Sequence, residues 1–439
     1  MFCPHKNSYL QLVCAMNPRV INKAVDQAME KQHFDPHCDA PAAQRLDSMQ
    51  PSLYAPHVDI SRARLGFGHI GLRLINRDLH SNDHLIQLQA LHSVLDQVQI
   101  SENALFLIDL HVVYRLIDLM QNRDPVIREK VCMILTHIAT YYQGRMQIMS
   151  RPIIIENLIW LIMRDRKEIR YVAASTLKTL ARDRCASEVI SNIEDIIVNL
   201  LKMIKHDHAG IVVLHLKTLA NLIEWDPIKP LNAFQVMLTL FEDADAAVVS
   251  HAMDCMTQLC KHEVGRKLAD EYDLTFVLRR FIVSPDVEVI ISAVGLMAYT
   301  TLTTRSKWRA KEACNELTKR LVTLCHTHTK PLMQLRCMQV LINLCDCSDI
   351  RKHMKARWER KIKMIKIRTH EEWDGTSETT SYGLKTGHNY RTMCIENVET
   401  IKNDYGDNAA IVNVHSYLLR VAQIKERLIK AINWKSYKD

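Results

Sequence analysis

From about residue 64 to 350 the chain alternates apolar stripes of helical period with short polar breaks. In EIRYVAASTLKTLA, Ile169, Val172, Ala173, Leu177 and Leu180 fall at i, i+3, i+4, i+8 and i+11, one side of a 3.6-residue helix. One unit earlier Val131, Ile134, Leu135 and Ile138 repeat the pattern. Each such long helix follows a shorter apolar one, for example VVYRLIDLM or ENLIWLIM.

The ends of the long helices are periodic. Leu95, Ile138, Leu180, Leu222, Leu259, Thr300 and Leu344 stand 43, 42, 42, 37, 41 and 44 residues apart. Ahead of each sits a side chain able to cap a helix: Asn82 or Ser81, Asp124, Asp165, Asp207, Asp245, Ser284 and Thr329. Pro125 and Pro285 follow two of them, where proline suits the first helical turn. With a very short helix such as Gly144–Ser150 opening the unit, the pattern is three helices per unit. That is the armadillo repeat, with the two-helix HEAT repeat next. The expected fold is an all-α, armadillo/HEAT-type right-handed superhelical solenoid of about seven repeats. The parts are an N-terminal arm (1–61) with one helix at 22–31, the solenoid (62–350), a basic amphipathic helix (351–368), a polar loop (369–393) and a helical extension (394–439).

Composition agrees with an all-helical chain. Only 11 glycines and 12 prolines occur in 439 residues, too few for the turns of an all-β or most α/β architectures. The first twenty residues lack a secretory h-region, and the most apolar stretch, PIIIENLIWLIM, is short and carries Glu156 and Asn157. A soluble intracellular chain without a transmembrane segment is therefore expected. Thirteen cysteines, several inside apolar stripes (Cys132, Cys255, Cys260, Cys337, Cys345), read as small hydrophobes.

No motif of chemistry stands up. Gly66-Phe-Gly-His-Ile-Gly71 fits G-x-G-x-x-G, but HVDISRAR before it is no strand and Gln87 to Ala90 supply no acidic ribose partner. Those glycines belong in the first helix of the first repeat. Cys345-Asp-Cys347 and Cys325-His-Thr-His328 lack a matching second half for zinc. His206-Asp207-His208 is the tightest histidine set, with Asp207 used as a cap. No catalytic residue, metal ligand, cofactor or small-molecule substrate is expected.

RLGFGHIGLRLINRDLHSNDHLIQLQALHSVLDQV and LIDLMQNRDPVIREKVCMILTHIATYYQGRMQI resemble the opening repeats of the radial spoke head protein 14 family, axonemal armadillo proteins. Leu74, Leu79, Gln89 to Leu91, Asp124, Val126, Arg128, Ile138, Gly144 and Arg145 carry the likeness, which spans roughly 62–350. The resemblance implies a structural part of the radial spoke in motile cilia or flagella. Radial spoke subunits would then be the partners, the axoneme within the cytoplasmic cytoskeleton the location, and enzymatic activity absent.

Armadillo proteins offer partners the face lined by their third helices. Import receptors, similar in architecture, grip peptide backbone there with a ladder of asparagines. One residue before each periodic position lie Val94, His137, Thr179, Asn221, Gln258, Tyr299 and Asn343. Only Asn221, with Trp225 nearby, and Asn343 fit, so a docking scaffold is expected ahead of a soluble adaptor of peptide cargo. Trp160, Trp225 and Tyr299 read as core aromatics. The formal charge of +8 resides entirely in 351–368, where Met354, Trp358, Ile362 and Ile365 form a stripe among nine Lys/Arg. Two readings stay open. Arg357, Lys361, Lys363, Lys366 and Arg368 contact an acidic surface (a tubulin tail, RNA, an anionic membrane or an acidic neighbour), or the helix packs on the last repeat with its charges solvated. Nucleic acid alone is disfavoured, since several interleaved aromatics are missing. The stripe Leu418, Val421, Ile424, Leu428, Ile432 predicts a helix over 414–434.

Overall fold

The computed structural model describes residues 68–193, 195–225, 233–367 and 414–434. The regular elements among them are helices, and no strand occurs. The expected arm, its helix at 22–31 and the polar loop lie outside the described residues. The chain divides into two compact units, with the boundary between Gln147 and Ile148. Each is a stack of armadillo-type repeats.

In the first unit, α1 (Gly68–Asp78) and α2 (His84–Gln97) form the first repeat. The second is complete: α3 (Ser101–Asp109), α4 (Val112–Leu119) and α5 (Pro125–Ile138). Gly68 and Gly71 lie in α1, so the GHIG part of the motif opens a solenoid helix, while Gly66 and Phe67 lie outside the described residues. α2 packs on α5, the third helix of one repeat against the next. Arg115 Nε donates to the Leu79 carbonyl at 3.0 Å and ties the second helices together.

α6 (Tyr142–Met149) spans the boundary as the first helix of repeat 3. The second unit continues with α7 (Ile153–Arg164) and α8 (Lys167–Leu180). Repeat 4 is α9 (Arg184–Ser191), α10 (Ile196–His206) and α11 (Ala209–Trp225), followed by α12 (Ala233–Leu240) and α13 (Ala246–Cys260) of repeat 5. Repeat 6 holds α14 (Glu263–Glu271), α15 (Leu274–Leu278), a 3-10 turn (Phe281–Val283) and α16 (Val287–Thr300). Repeat 7 holds α17 (Thr304–Glu312), α18 (Cys314–Cys325) and α19 (Pro331–Leu344), after which come α20 (Ser348–Lys363) and α21 (Val414–Asn433).

The third helices α8, α11, α13, α16 and α19 pack each on its successor. The periodic residues Leu180, Leu222, Leu259, Thr300 and Leu344 are all buried there, and full burial of each leucine stabilises by roughly 1.5–3 kcal/mol. α21 packs on both α19 and α20. It takes the third-helix place of an eighth layer whose first helix is α20.

Caps begin these helices, though not all at the expected residues. Asp124 and Asp245 accept from Val126 and Ala247 amides at 2.9 and 2.8 Å, as the spacing predicted. For α2 the cap is Asp83, accepting from Leu85 at 2.8 Å, while Ser81 serves the Asp83 amide. Asp165 and Asp207 each accept from the next residue's amide, and Ser284 from Asp286 two residues on. α19 starts without a side-chain cap, at Pro331. The polar loop residue was legible in sequence, but not which loop amide it would turn toward.

A second device recurs where one repeat hands over to the next. Seven residues after Ile138, Leu259 and Leu344 stand Arg145, Arg266 and Arg351. Arg145 Nη1 donates to the Ala139 and Thr140 carbonyls (3.1 and 2.9 Å), and Arg266 Nη1 to those of Cys260 and Lys261 (3.2 and 2.6 Å). Arg351 Nη1 reaches the Cys345 carbonyl at 3.0 Å. Each supplies donors to carbonyls the helix end leaves open. Before the first two arginines stand Gly144 and Gly265, pressed so closely on the preceding helix that an added Cβ would lie 2.2 and 2.1 Å from the Ile138 and Leu259 carbonyl oxygens.

Gly265→Ala is therefore expected to destabilise the second unit by about 1–3 kcal/mol in urea unfolding, because backbone must give way. Gly210→Ala, where the nearest atom to the new Cβ is 3.9 Å away in Tyr171, is expected to stabilise by about 0.5–1 kcal/mol.

Candidate partner-binding face

In the second unit the residues one before each periodic position share the third-helix face but behave differently. Thr179 turns its hydroxyl back to the Ser175 carbonyl at 2.8 Å. Asn343 spends its amide inside the stack: Nδ2 donates to the Ala298 carbonyl (2.7 Å) and to Thr301 Oγ1 (3.2 Å). It joins α19 to α16 and is no rung of a binding ladder. Asn221 and Gln258, on adjacent helices α11 and α13, are half-buried. Asn221 Nδ2, a donor, and Gln258 Oε1, an acceptor, are each buried without a hydrogen-bond partner. The Trp225 side chain lies outside the described residues. In the first unit Val94 is buried and His137 half-buried.

Toward repeats 6 and 7 the same face is filled. Residues Ile291 to Ala298 of α16 and Pro331 to Met338 of α19 are buried without interruption. Arg336 crosses from α19, donating from Nη1 to the Ile291 carbonyl at 2.8 Å. It can do so because residue 295 is glycine: a Cβ there would stand 2.5 Å from Arg336 Nη1. An isolated glycine within VEVIISAVGLMAYT was the sequence signal for this close approach. Gln258 gave no such signal, since only an unmet hydrogen bond distinguishes it.

The second helices carry a different feature. The broken second helix of repeat 6 leaves a hollow of about 720 Å³ among Leu238, Phe276, Val283 and Leu317. Arg279–Glu316 (3.4 Å) and Arg280–Glu242 ion pairs bridge it to the neighbouring repeats. Trp160, expected in the core, is 47% exposed on α7, because the stripe of that helix is met by Ile154, Ile155, Leu158, Leu161 and Ile162 instead.

α20 is a packing helix. Met354, Ile362 and Ile365 are buried and Trp358 half-buried, so the stripe in the basic run was correctly placed. Apart from buried Arg351, its described cations remain on the surface. Arg357 Nη1 donates to Asn315 Oδ1 at 2.8 Å, Lys361 stands over the Trp358 ring at 5.0 Å, and Lys363 pairs with Glu359 at 2.7 Å. Lys366 is exposed, its carbonyl accepting from Gln334 Nε2 at 2.9 Å, and Arg368 lies outside the described residues.

The histidine set at 206–208 does not converge. His206 and His208 are exposed while the Asp207 side chain is fully buried, its Oδ1 in an ion pair with Arg170 Nη2 of the preceding repeat at 3.1 Å. Buried His215 places Nε2 3.9 Å from Asp207 Oδ2. Burial alone would raise the Asp207 carboxyl, but His215, the His208 amide and the Arg170 charge hold it below the ordinary value. The loop acid expected as a cap is thus an inter-repeat ion pair. Among the described residues no group of three His, Cys, Asp or Glu is placed to hold a metal. Burial pushes the Cys260 and Cys345 thiols up to about 12, away from reactive thiolate. No single described helix is long and apolar enough to cross a membrane.

No family model matches the sequence. Among solved structures the chain is similar to an engineered protein from a structural genomics consortium, at 17% identity and a TM-score of 0.61 over 83% of this chain and 89% of that one. A designed armadillo repeat protein is similar at 16% identity and a TM-score of 0.48, over 52% of this chain and 99% of that one. Another designed armadillo repeat protein, in complex with the peptide (KR)4, gives 15%, 0.49, 52% and 99%. At these identities the likeness is one of fold.

Removing the buried acid tests the inter-repeat pair. Asp207→Asn is expected to cost about 3 kcal/mol at pH 7, since Arg170 loses its counter-charge. A carboxyl lowered on folding stabilises at pH values above its unfolded pKa, and that contribution is lost as pH falls through the folded value. The gap between wild type and variant in urea unfolding should therefore be full at pH 5 and 7 and shrink below about pH 4.

Proposed function

We propose that the protein is a non-catalytic docking scaffold whose third-helix face in repeats 3 to 5 receives an extended segment of a partner protein. The observation that carries this is the unmet pair, Asn221 Nδ2 and Gln258 Oε1, on neighbouring helices in one register. A buried amide atom without a partner costs about 1–3 kcal/mol. A peptide backbone, with alternating N–H and C=O, is a ligand that satisfies a donor and an acceptor on successive repeats. Beyond Gln258 the corresponding Asn343 amide is spent inside the stack, so the docked segment is short.

The assembly proposed for this scaffold is the radial spoke of motile cilia or flagella, with spoke subunits as partners and the axoneme as location. The support is the resemblance of residues 62–350 to the radial spoke head protein 14 family, including Asp124, Arg128 and the Gly144-Arg145 pair. These residues have physical roles in the first unit, where Asp124 caps α5 and Arg128 Nη1 donates to the Asn122 carbonyl at 2.7 Å. A soluble adaptor for peptide cargo would use the same groove, and solubility separates the two.

In detergent-extracted ciliated cells the tagged protein should stay with the axoneme and leave only in strong salt or chaotrope. Recovery in the detergent-soluble fraction would overturn the spoke reading. Combined Asn221→Leu and Gln258→Leu should leave the unfolding midpoint unchanged or slightly raised, since both unmet polar atoms disappear. The same variant should lose most of its axonemal retention. Full retention would remove the groove from the proposal.

A further inference from the structure

The helix pair that closes the second unit carries more positive charge than the carboxylates of the two helices balance. α20 and α21 run antiparallel: Lys425 Nζ donates to the Ile365 carbonyl at 2.7 Å, Asn433 Nδ2 to Glu359 at 3.4 Å, and the Arg351 guanidinium lies 4.8 Å from the Trp434 ring. Their apolar stripes are consumed inward, with Met354, Ile362, Val421 and Leu428 all buried. The outward side keeps nine exposed lysines and arginines, six on α20 and three on α21. Against them stand Asp349, Glu359 and Glu426, of which the first two are already paired with Lys311 and Lys363. Lys355, Arg360, Arg427 and Lys430 have no carboxylate in ion-pair range among the described residues.

A polar cover is all that the end of a repeat stack requires, and mixed charges provide it without self-repulsion. A face of one sign instead raises the local concentration of a partner of the other sign. A second observation points to a ligand. Trp434 is 61% exposed at the edge of this face, with Arg351 held against its ring. Tryptophan is among the side chains that most often anchor a protein interface. A nucleic-acid strand would want successive aromatic platforms, and among the described side chains of this pair only Trp434 offers an exposed ring. A membrane would want a free apolar helix face, and both stripes are buried.

We infer that the outward side of α20 and α21 docks an acidic, unfolded polypeptide segment of a partner protein, its carboxylates meeting the lysines and arginines and an aromatic or aliphatic side chain resting on Trp434. The surface stands apart from the groove on repeats 3 to 5. The residues joining the two helices, 369–413, hold eight Asp/Glu against three Lys/Arg, so the chain contains a competitor of the same chemistry.

The test is fluorescence anisotropy of the full chain with a labelled, glutamate-rich peptide containing one phenylalanine, titrated at stepped ionic strength. Combined Lys355→Glu, Arg360→Glu, Arg427→Glu and Lys430→Glu is expected to weaken binding at least tenfold and to flatten its salt dependence. Lys202→Glu with Lys205→Glu on α10, also exposed, should leave it unchanged. Trp434→Ala should weaken binding several-fold at an unaltered salt slope. Equal losses in the two charge-reversal variants would reduce the attraction to net charge and overturn the proposal. So would binding of an oligonucleotide or phosphatidylserine vesicles as tightly as the peptide. Neutralising the eight acids of 369–413 should leave peptide affinity within threefold. A tenfold gain would make the chain's own segment the occupant and overturn a partner at this face.

Discussion

Everything in the second unit depends on one constraint: a third helix must be covered on two flanks, by its predecessor and its successor. Leu180, Leu222, Leu259 and Leu344 are buried only because another repeat lies against each. Burial of that kind sums along the stack rather than around a centre, so the fold tolerates change within a repeat but not an uncovered end. The C-terminal end is closed by α20 and α21, which bury Ile362, Leu418 and Leu428 where the next repeat would have stood. The arginines that end two of the hand-overs, Arg266 and Arg351, answer the same need at the level of hydrogen bonds, since a helix cut off by a tight turn leaves carbonyls unmet.

Function follows from what the stacking leaves over. Where neighbouring helices satisfy their polar groups internally, as Asn343 does with Ala298 and Thr301, the face is structural. Where they do not, as at Asn221 and Gln258, the unmet bond is a free-energy cost, and the proposed docking of a partner segment would remove it. Arg336 marks the boundary between these regimes. Its guanidinium occupies the space that Gly295 vacates and bonds α19 to α16. Repeat 6 departs twice from the pattern, here and in its broken second helix, so one repeat is altered on two of its faces.

The repeat architecture was legible because burial in a solenoid is periodic in sequence. A stripe such as Ile169, Ala173, Leu177, Leu180 has to face the core wherever the helix goes, and a period near 42 requires one such face per repeat. The same logic placed the stripes of Met354 to Ile365 and Leu418 to Ile432, which are short-range amphipathic patterns. Side-chain partners were less legible. Asp207 has the sequence of a helix cap, yet Arg170, thirty-seven residues away, takes it into the interior. Trp160 has the spacing of a core residue, yet smaller neighbours fill the core first.

The sequence by itself thus determined the helical class, the repeat, its register and the charge at 351–368, because each depends on contacts one or two turns apart or on a fixed period. Only the tertiary structure decided which polar groups meet partners, since that depends on atoms brought together from repeats about forty residues apart. It made Asn343 a strut and left Asn221 unmet, although both are the same residue in the same register. It also joined α20 to a helix fifty residues later, so that one basic run became half of a two-helix face.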